Sequence, residues 1–189
     1  MVIKKSNKVV EFFKRFGVYV VAGAIVLGVG LTFGITALTR QNQEVLDVGN
    51  KTLEFTLPMN SPTIIKDFSS TALQENKTLN QWEAHLALDM KSDDGQVFCI
   101  LDGTVEKVYF DQLGGNTIVV KHVDGLTSVY ASLGKEIAVK AGDKVTTGEK
   151  LGMVDKAAGE AYLGEHLHFY MTLNDEKIDP NNYLDLQNK

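Results

Sequence analysis

Cysteine is almost missing from this chain of 189 residues: Cys99 is the only one, so no internal disulfide can brace the fold. Its place in VFCIL reads instead as a small apolar residue on a buried strand. Positive charge is short as well. From Gln41 onward 13 Lys plus Arg stand against 23 Asp plus Glu, a net of −10 that repels phosphates and excludes a nucleic-acid partner. The same deficit makes anionic wall polymers poor ligands except at a local basic patch. Histidine is scarce too, with four in all, and three of them fall in two short motifs.

Charge of either sign is absent between Arg15 and Arg40, where 24 residues read FGVYVVAGAIVLGVGLTFGITALT. At 1.5 Å per residue this run is long enough to cross a hydrocarbon core of about 30 Å, so residues 16–39 are expected to form one transmembrane helix. Before it, Lys4, Lys5, Lys8, Lys14 and Arg15 face only Glu11, and this net of +4 keeps the N-terminus in the cytoplasm. A cleavable signal peptide is the rival reading, but its apolar region spans about 7 to 15 residues and this one is longer. Five glycines in the span are ordinary for such helices.

What is present in place of cysteine is a donor set of another kind. His85 and Asp89 form HxxxD, and His166 and His168 form HxH about 80 positions later. In an extended strand residues i and i+2 share a face, so His166 and His168 point the same way. Two imidazoles plus a carboxylate suit zinc with an open water position, which is coordination of the catalytic type.

The residues around these motifs resemble those of the LytM or lysostaphin-type zinc endopeptidases. The resemblance runs from His85 to Leu184 and includes VFCILDGTVEKV, GGNTIVVKHVDGLTSVYASL, VKAGDKVTTGEKLGMV and IDPNNYL. It implies a mainly β, antiparallel sandwich or barrel-sandwich domain. It also implies one Zn2+ per chain held by His85, Asp89 and His168, with His166 as a catalytic histidine. Residues 1–15 then read as a cytoplasmic tail, 16–39 as the membrane helix, 40–52 as a linker and 53–189 as an extracytoplasmic LytM-like domain.

Two departures weaken the implied chemistry. Peptide-cleaving members carry a second catalytic histidine in YxHL, and here the motif is Tyr130, Ala131, Ser132, Leu133. A neutral hydroxyl cannot take up a proton near pH 7 as imidazole does, and loss of a general acid or base typically lowers rate about 100-fold to 10,000-fold. The other departure is Ala87 in HLALD, where the family has glycine; the added methyl removes no ligand. Upstream, IIKDFS at 64–69 and KTLNQWEAH at 77–85 resemble the membrane-anchored sporulation members of the family, some of which also read YxSL. That branch implies a forespore membrane protein needed for engulfment. Its domain would meet a mother-cell membrane protein resembling stage III sporulation protein AH, in a ring-like complex, with peptidoglycan as a further contact.

Period-two runs of Val, Ile, Thr and aromatics predict strands at Leu53 to Leu57, Thr63 to Asp67, Val97 to Ile100, Thr104 to Phe110, Thr117 to His122, Thr127 to Leu133 and His166 to Leu173. Helix is expected only near Ser70 to Gln74 and as a turn after Pro180. His122 reads as an exposed histidine at a strand end. Trp82 and Tyr130 are candidates for a peptide groove or for the core.

Three functions compete: an assembly domain that keeps zinc, a zinc endopeptidase cutting peptidoglycan cross-links with His166 as its one imidazole partner, and a carrier domain modified on Lys156. Order excludes the last, because a carrier lysine precedes the VxxGDxVxxG turn and Lys156 follows it.

Overall fold

A computed structural model describes residues 53–186 of the chain. Short β-branched and aromatic runs broken by Gly, Asp and Asn turns leave little room for helix, and among the described residues the only helical pieces are three 3-10 turns, at Val123–Gly125, Ala158–Leu163 and Pro180–Asn182. The strands, numbered in chain order, are β1 (Thr63–Lys66), β2 (Ser69–Asn76), β3 (Gln81–His85), β4 (Leu88–Lys91), β5 (Gln96–Phe98), β6 (Gly103–Asp111) and β7 (Gly115–Lys121). They continue as β8 (Leu126–Leu133), β9 (Lys144–Val145), β10 (Lys150–Met153), β11 (Asp155–Lys156), β12 (Glu165–Leu173) and β13 (Glu176–Ile178).

The main sheet runs β1-β4-β12-β8-β7-β6-β9, with β11 and β13 also paired to β12, and every pairing is antiparallel. Two small ribbons, β10–β5 and β2–β3, complete it. The fold is therefore mainly β and antiparallel. Alternation along β12 sorts its two faces: Leu167, Phe169 and Met171 are fully buried among Leu88, Met90, Ile118, Val120 and Tyr130, while His166, His168 and Tyr170 take the opposite face. Phe169 packs on Tyr130 with ring centroids 5.3 Å apart. Cys99 is wholly buried in the same core, as its setting predicts.

Two local expectations are corrected. The segment near Ser70 to Gln74 is strand β2, because its backbone groups are satisfied by β3 across the register Leu73↔Ala84 to Asn76↔Gln81; ribbon pairing overrides local propensity there. Leu53 to Leu57 forms no strand, although Thr56 N–H donates to the Ile100 carbonyl at 3.0 Å. The turn after Pro180 is present, its first N–H capped by the Asp179 side chain. Residues 16–39 lie outside the described residues, and among the described residues no helix is long and apolar enough to cross a membrane.

Candidate metal centre

Strand register builds the centre. On β12, His168 stands directly opposite Asp89 of β4 on one side and Ala131 of β8 on the other, so the neighbour of Ala131, Ser132, borders the same site. His85 closes β3, and β4 begins only at Leu88. In one continuous strand His85 and Asp89 would lie about 13 Å apart at a rise of about 3.3 Å per residue. The break at Leu86 and Ala87 folds the chain instead, and His85 Nε2 comes within 3.1 Å of Asp89 Oδ2. Ala87 is buried at this bend.

Backbone carbonyls fix which nitrogen of each ring faces inward. His85 Nδ1–H donates to the Asp67 carbonyl at 2.9 Å and His166 Nδ1–H to the Gly164 carbonyl at 2.8 Å, which leaves both Nε2 atoms as lone-pair donors toward the centre. For His168 the inward atom is Nδ1, 2.7 Å from Asp89 Oδ1. His85 Nε2, Asp89 Oδ2 and His166 Nε2 are buried with no hydrogen-bond partner. With His85 donating from Nδ1, neither atom of the 3.1 Å pair carries a proton to share. Buried polar atoms left so are rare, and a cation between His85 Nε2 and Asp89 Oδ2 would satisfy two of the three.

One member escaped the sequence reading. Glu160, in the 3-10 turn before β12, places Oε2 2.9 Å from His168 Nδ1 and 3.6 Å from His166 Nε2. His85, Asp89, Glu160 and His168 each offer one ligand atom, and all four atoms lie within 4.8 Å of one another. Lys66 of β1, 7% exposed, donates from Nζ to Glu160 Oε1 at 2.9 Å. Nothing in GEAYLGE announces this carboxylate, since a glutamate in an irregular loop has no period to read. The open water position inferred from the sequence is thus faced by a carboxylate.

The metal-free electrostatics are those of a cation site filled by protons. Burial alone would depress His168, but hydrogen bonds and charge from Asp89 and Glu160 outweigh it and push the ring up to about 9. Burial would likewise raise Asp89, yet the hydrogen bond and charge of the His168 ring hold its carboxyl below the usual range. Glu160 behaves the same way, with His166, His168 and Lys66 overcoming its burial.

Beside the centre lies a cavity of about 290 Å³ walled by His85, His168, Glu160, Ser132, Leu79 and Leu113. Ser132 is buried, holds φ 60°, and its Oγ has no hydrogen-bond partner. No imidazole occupies that wall position.

The remaining candidates lie elsewhere. His122 is half-buried, correcting the exposed strand end: its Nδ1–H donates to the Asp102 carbonyl at 3.0 Å, and its Nε2 lies 2.7 Å from Ser128 Oγ. Ser128 Oγ is 3.0 Å from Tyr130 Oη, which accepts from Ile100 N–H at 3.0 Å. Tyr130 therefore belongs to the core, whereas Trp82 is 66% exposed on β3. Lys156 sits exposed on β11.

Comparison with known proteins agrees with this geometry. Stage II sporulation protein Q of Bacillus subtilis (strain 168) is 26% identical over 211 residues, spanning 95% of this chain and 74% of that protein. Peptidoglycan DD-endopeptidase ShyC of Vibrio cholerae is 28% identical over 95 residues, 50% of this chain and 21% of that one. Among solved structures, a chain of the SpoIIQ-SpoIIIAH pore forming complex matches with a TM-score of 0.63 at 27% identity, covering 72% of this chain and 94% of that one. A zinc containing peptidase from Vibrio cholerae matches at 0.56 and 25% identity, over 67% and 39% of the two chains. The model of peptidase family M23 matches residues 83–180, more than half of the sequence, so the chain belongs to peptidase family M23.

Proposed function

We propose that this chain is a single-pass forespore membrane protein, needed for engulfment and spore formation, whose M23 domain binds a mother-cell membrane protein resembling stage III sporulation protein AH. Residues 16–39 are the anchor, residues 1–15 the cytoplasmic tail, residues 40–52 the linker, and residues 53–189 the domain in the intermembrane space. The observation that carries this reading is the extent of likeness: 95% of the chain aligns with stage II sporulation protein Q, against 50% with the endopeptidase ShyC. The likeness to a chain solved in complex with SpoIIIAH supports the same partner class, and a ring-like assembly of the pair.

Within the domain, His85, Asp89 and His168 are assigned as ligands of one Zn2+, supported by the convergence of their donor atoms and by the orphaned His85 Nε2 and Asp89 Oδ2. Bound zinc supplies Lewis acidity and lowers the pKa of water. Hydrolysis would then require this chain to move protons. His166 offers one imidazole, but Ser132 stands where the second is needed and cannot accept a proton near neutral pH. Weak or absent hydrolysis follows. The second reading, a peptidoglycan zinc endopeptidase, is favoured only by the intact donor set.

The test mixes the domain of residues 53–189, whose described residues enclose a core of their own, with the soluble domain of the mother-cell partner. Calorimetry or size exclusion should find a stable complex. No complex at any concentration, together with release of peptides from peptidoglycan, would return the chain to the enzymes.

A further inference from the structure

Glu160 is held too firmly to be a passing neighbour of the metal centre. Its loop is pinned on one side by Gly159 N–H donating to the Leu113 carbonyl at 2.9 Å. A side chain at position 159 would meet Leu113 Cβ at 3.1 Å, so the approach needs glycine. On the other side Tyr162 N–H donates to Thr78 Oγ1 at 3.0 Å, tying the loop to the β2–β3 ribbon. Lys66 then reaches across from β1 to take one carboxylate oxygen, leaving the other directed at the His168 and His166 rings.

We propose that Glu160 Oε2 is a fourth protein ligand, locked by Lys66, that closes the coordination sphere of the metal site. This rests on the assignment of His85, Asp89 and His168 as ligands. Four ligands about 2.0–2.1 Å from a tetrahedral zinc stand roughly 3.4 Å from one another. Three of the inward pairs already approach that spacing: 2.7 Å for His168 Nδ1 to Asp89 Oδ1, 2.9 Å for His168 Nδ1 to Glu160 Oε2 and 3.1 Å for His85 Nε2 to Asp89 Oδ2. Two carboxylates supply the two negative charges that a divalent ion needs, and Lys66 fixes the distal oxygen in place. A closed four-ligand sphere is the structural kind; a catalytic site keeps a place for water. The metal here therefore clasps β4, β12, β3 and the 157–163 loop together and activates nothing.

The experiment loads the 53–189 domain with Co2+ in place of zinc and reads the visible d–d spectrum during titration with azide, which enters an open position. Wild type should bind one Co2+ with a tetrahedral spectrum that azide leaves unchanged. Glu160→Gln should bind about 10-fold to 100-fold more weakly, as loss of a metal-site partner does, and its spectrum should shift with azide. Lys66→Met, which leaves every ligand in place, should also weaken binding and admit azide in part. Far-ultraviolet circular dichroism of the metal-free variants confirms folding. If wild type and Glu160→Gln bind Co2+ equally and respond alike to azide, Glu160 is no ligand, while the three-ligand assignment stands. If wild type takes up no metal, both readings fall.

Discussion

Two histidines, His168 on β12 and His122 just past the end of β7, are both partly buried, yet their surroundings drive them in opposite directions. Around His168 are two carboxylates, and the ring is pushed up to about 9. Around His122 are a backbone carbonyl and a serine hydroxyl; burial dominates and pushes the ring down. Burial therefore does not decide charge by itself. The partner does, and only the first of these two pockets gathers the donors that could hold a cation.

The largest effect should come from removing that cation's partners. Asp89→Ala or His168→Ala is expected to drop metal content from close to one per chain to near zero by elemental analysis. With zinc present at 100-fold above its dissociation constant, wild type should gain about 2.7 kcal/mol that neither variant gains. The His122 side of the comparison should be untouched.

A smaller loss should follow on the other side. Tyr130→Phe leaves Ile100 N–H buried without its acceptor, which costs about 1–3 kcal/mol in urea unfolding while metal content stays at the wild-type value. Metal loss in this variant would mean that the two pockets are coupled.

Catalysis should need two repairs. The left-handed conformation of residue 132 is one that histidine tolerates better than most, so Ser132→His can fold. Alone it should remain without detectable hydrolysis of peptidoglycan; combined with Glu160→Ala, release of peptides should become measurable. Activity in Ser132→His alone would mean that the carboxylate does not block the site.

The smallest effect is also the most direct contrast, and is read on the chelated protein. His168 has a folded pKa raised above its unfolded value of 6.5, so its contribution is complete below about 6.5 and is lost as pH rises through 9. His122 has a lowered pKa, so its contribution is present above 6.5 and declines as pH falls below it. Urea midpoints against pH should therefore lose their alkaline slope in His168→Gln and their acid slope in His122→Gln. A slope that survives its own substitution removes that histidine from the account.

The same contrast marks what could be read from the residues alone. The strands at 104–110, 117–122, 127–133 and 166–173 announce themselves by alternation, and the structure places β6, β7, β8 and β12 over them within a residue or two. HxH is legible because i and i+2 share a face. HxxxD is legible as a motif but not as a shape, since its meaning depends on a bend at Leu86 and Ala87 that no strand pattern contains. Glu160 has no signal in the sequence: it reaches the site through the Gly159 contact with Leu113, the tie to Thr78 and the grip of Lys66, all far away along the chain. Part of strand β2 reads as helix in the sequence because its partner, β3, supplies what local propensity lacks.

The pairing of His168 with Asp89 carries one more consequence. Because side chains alternate, sliding β12 by a single residue against β4 would carry His168 into the apolar layer and bring Leu167 or Phe169 into its place. The proposed metal site thus exists only in the correct alignment, and an ion bound there would stabilise that alignment over every shifted one. During folding it would act as a test of register, applied where the two strands meet.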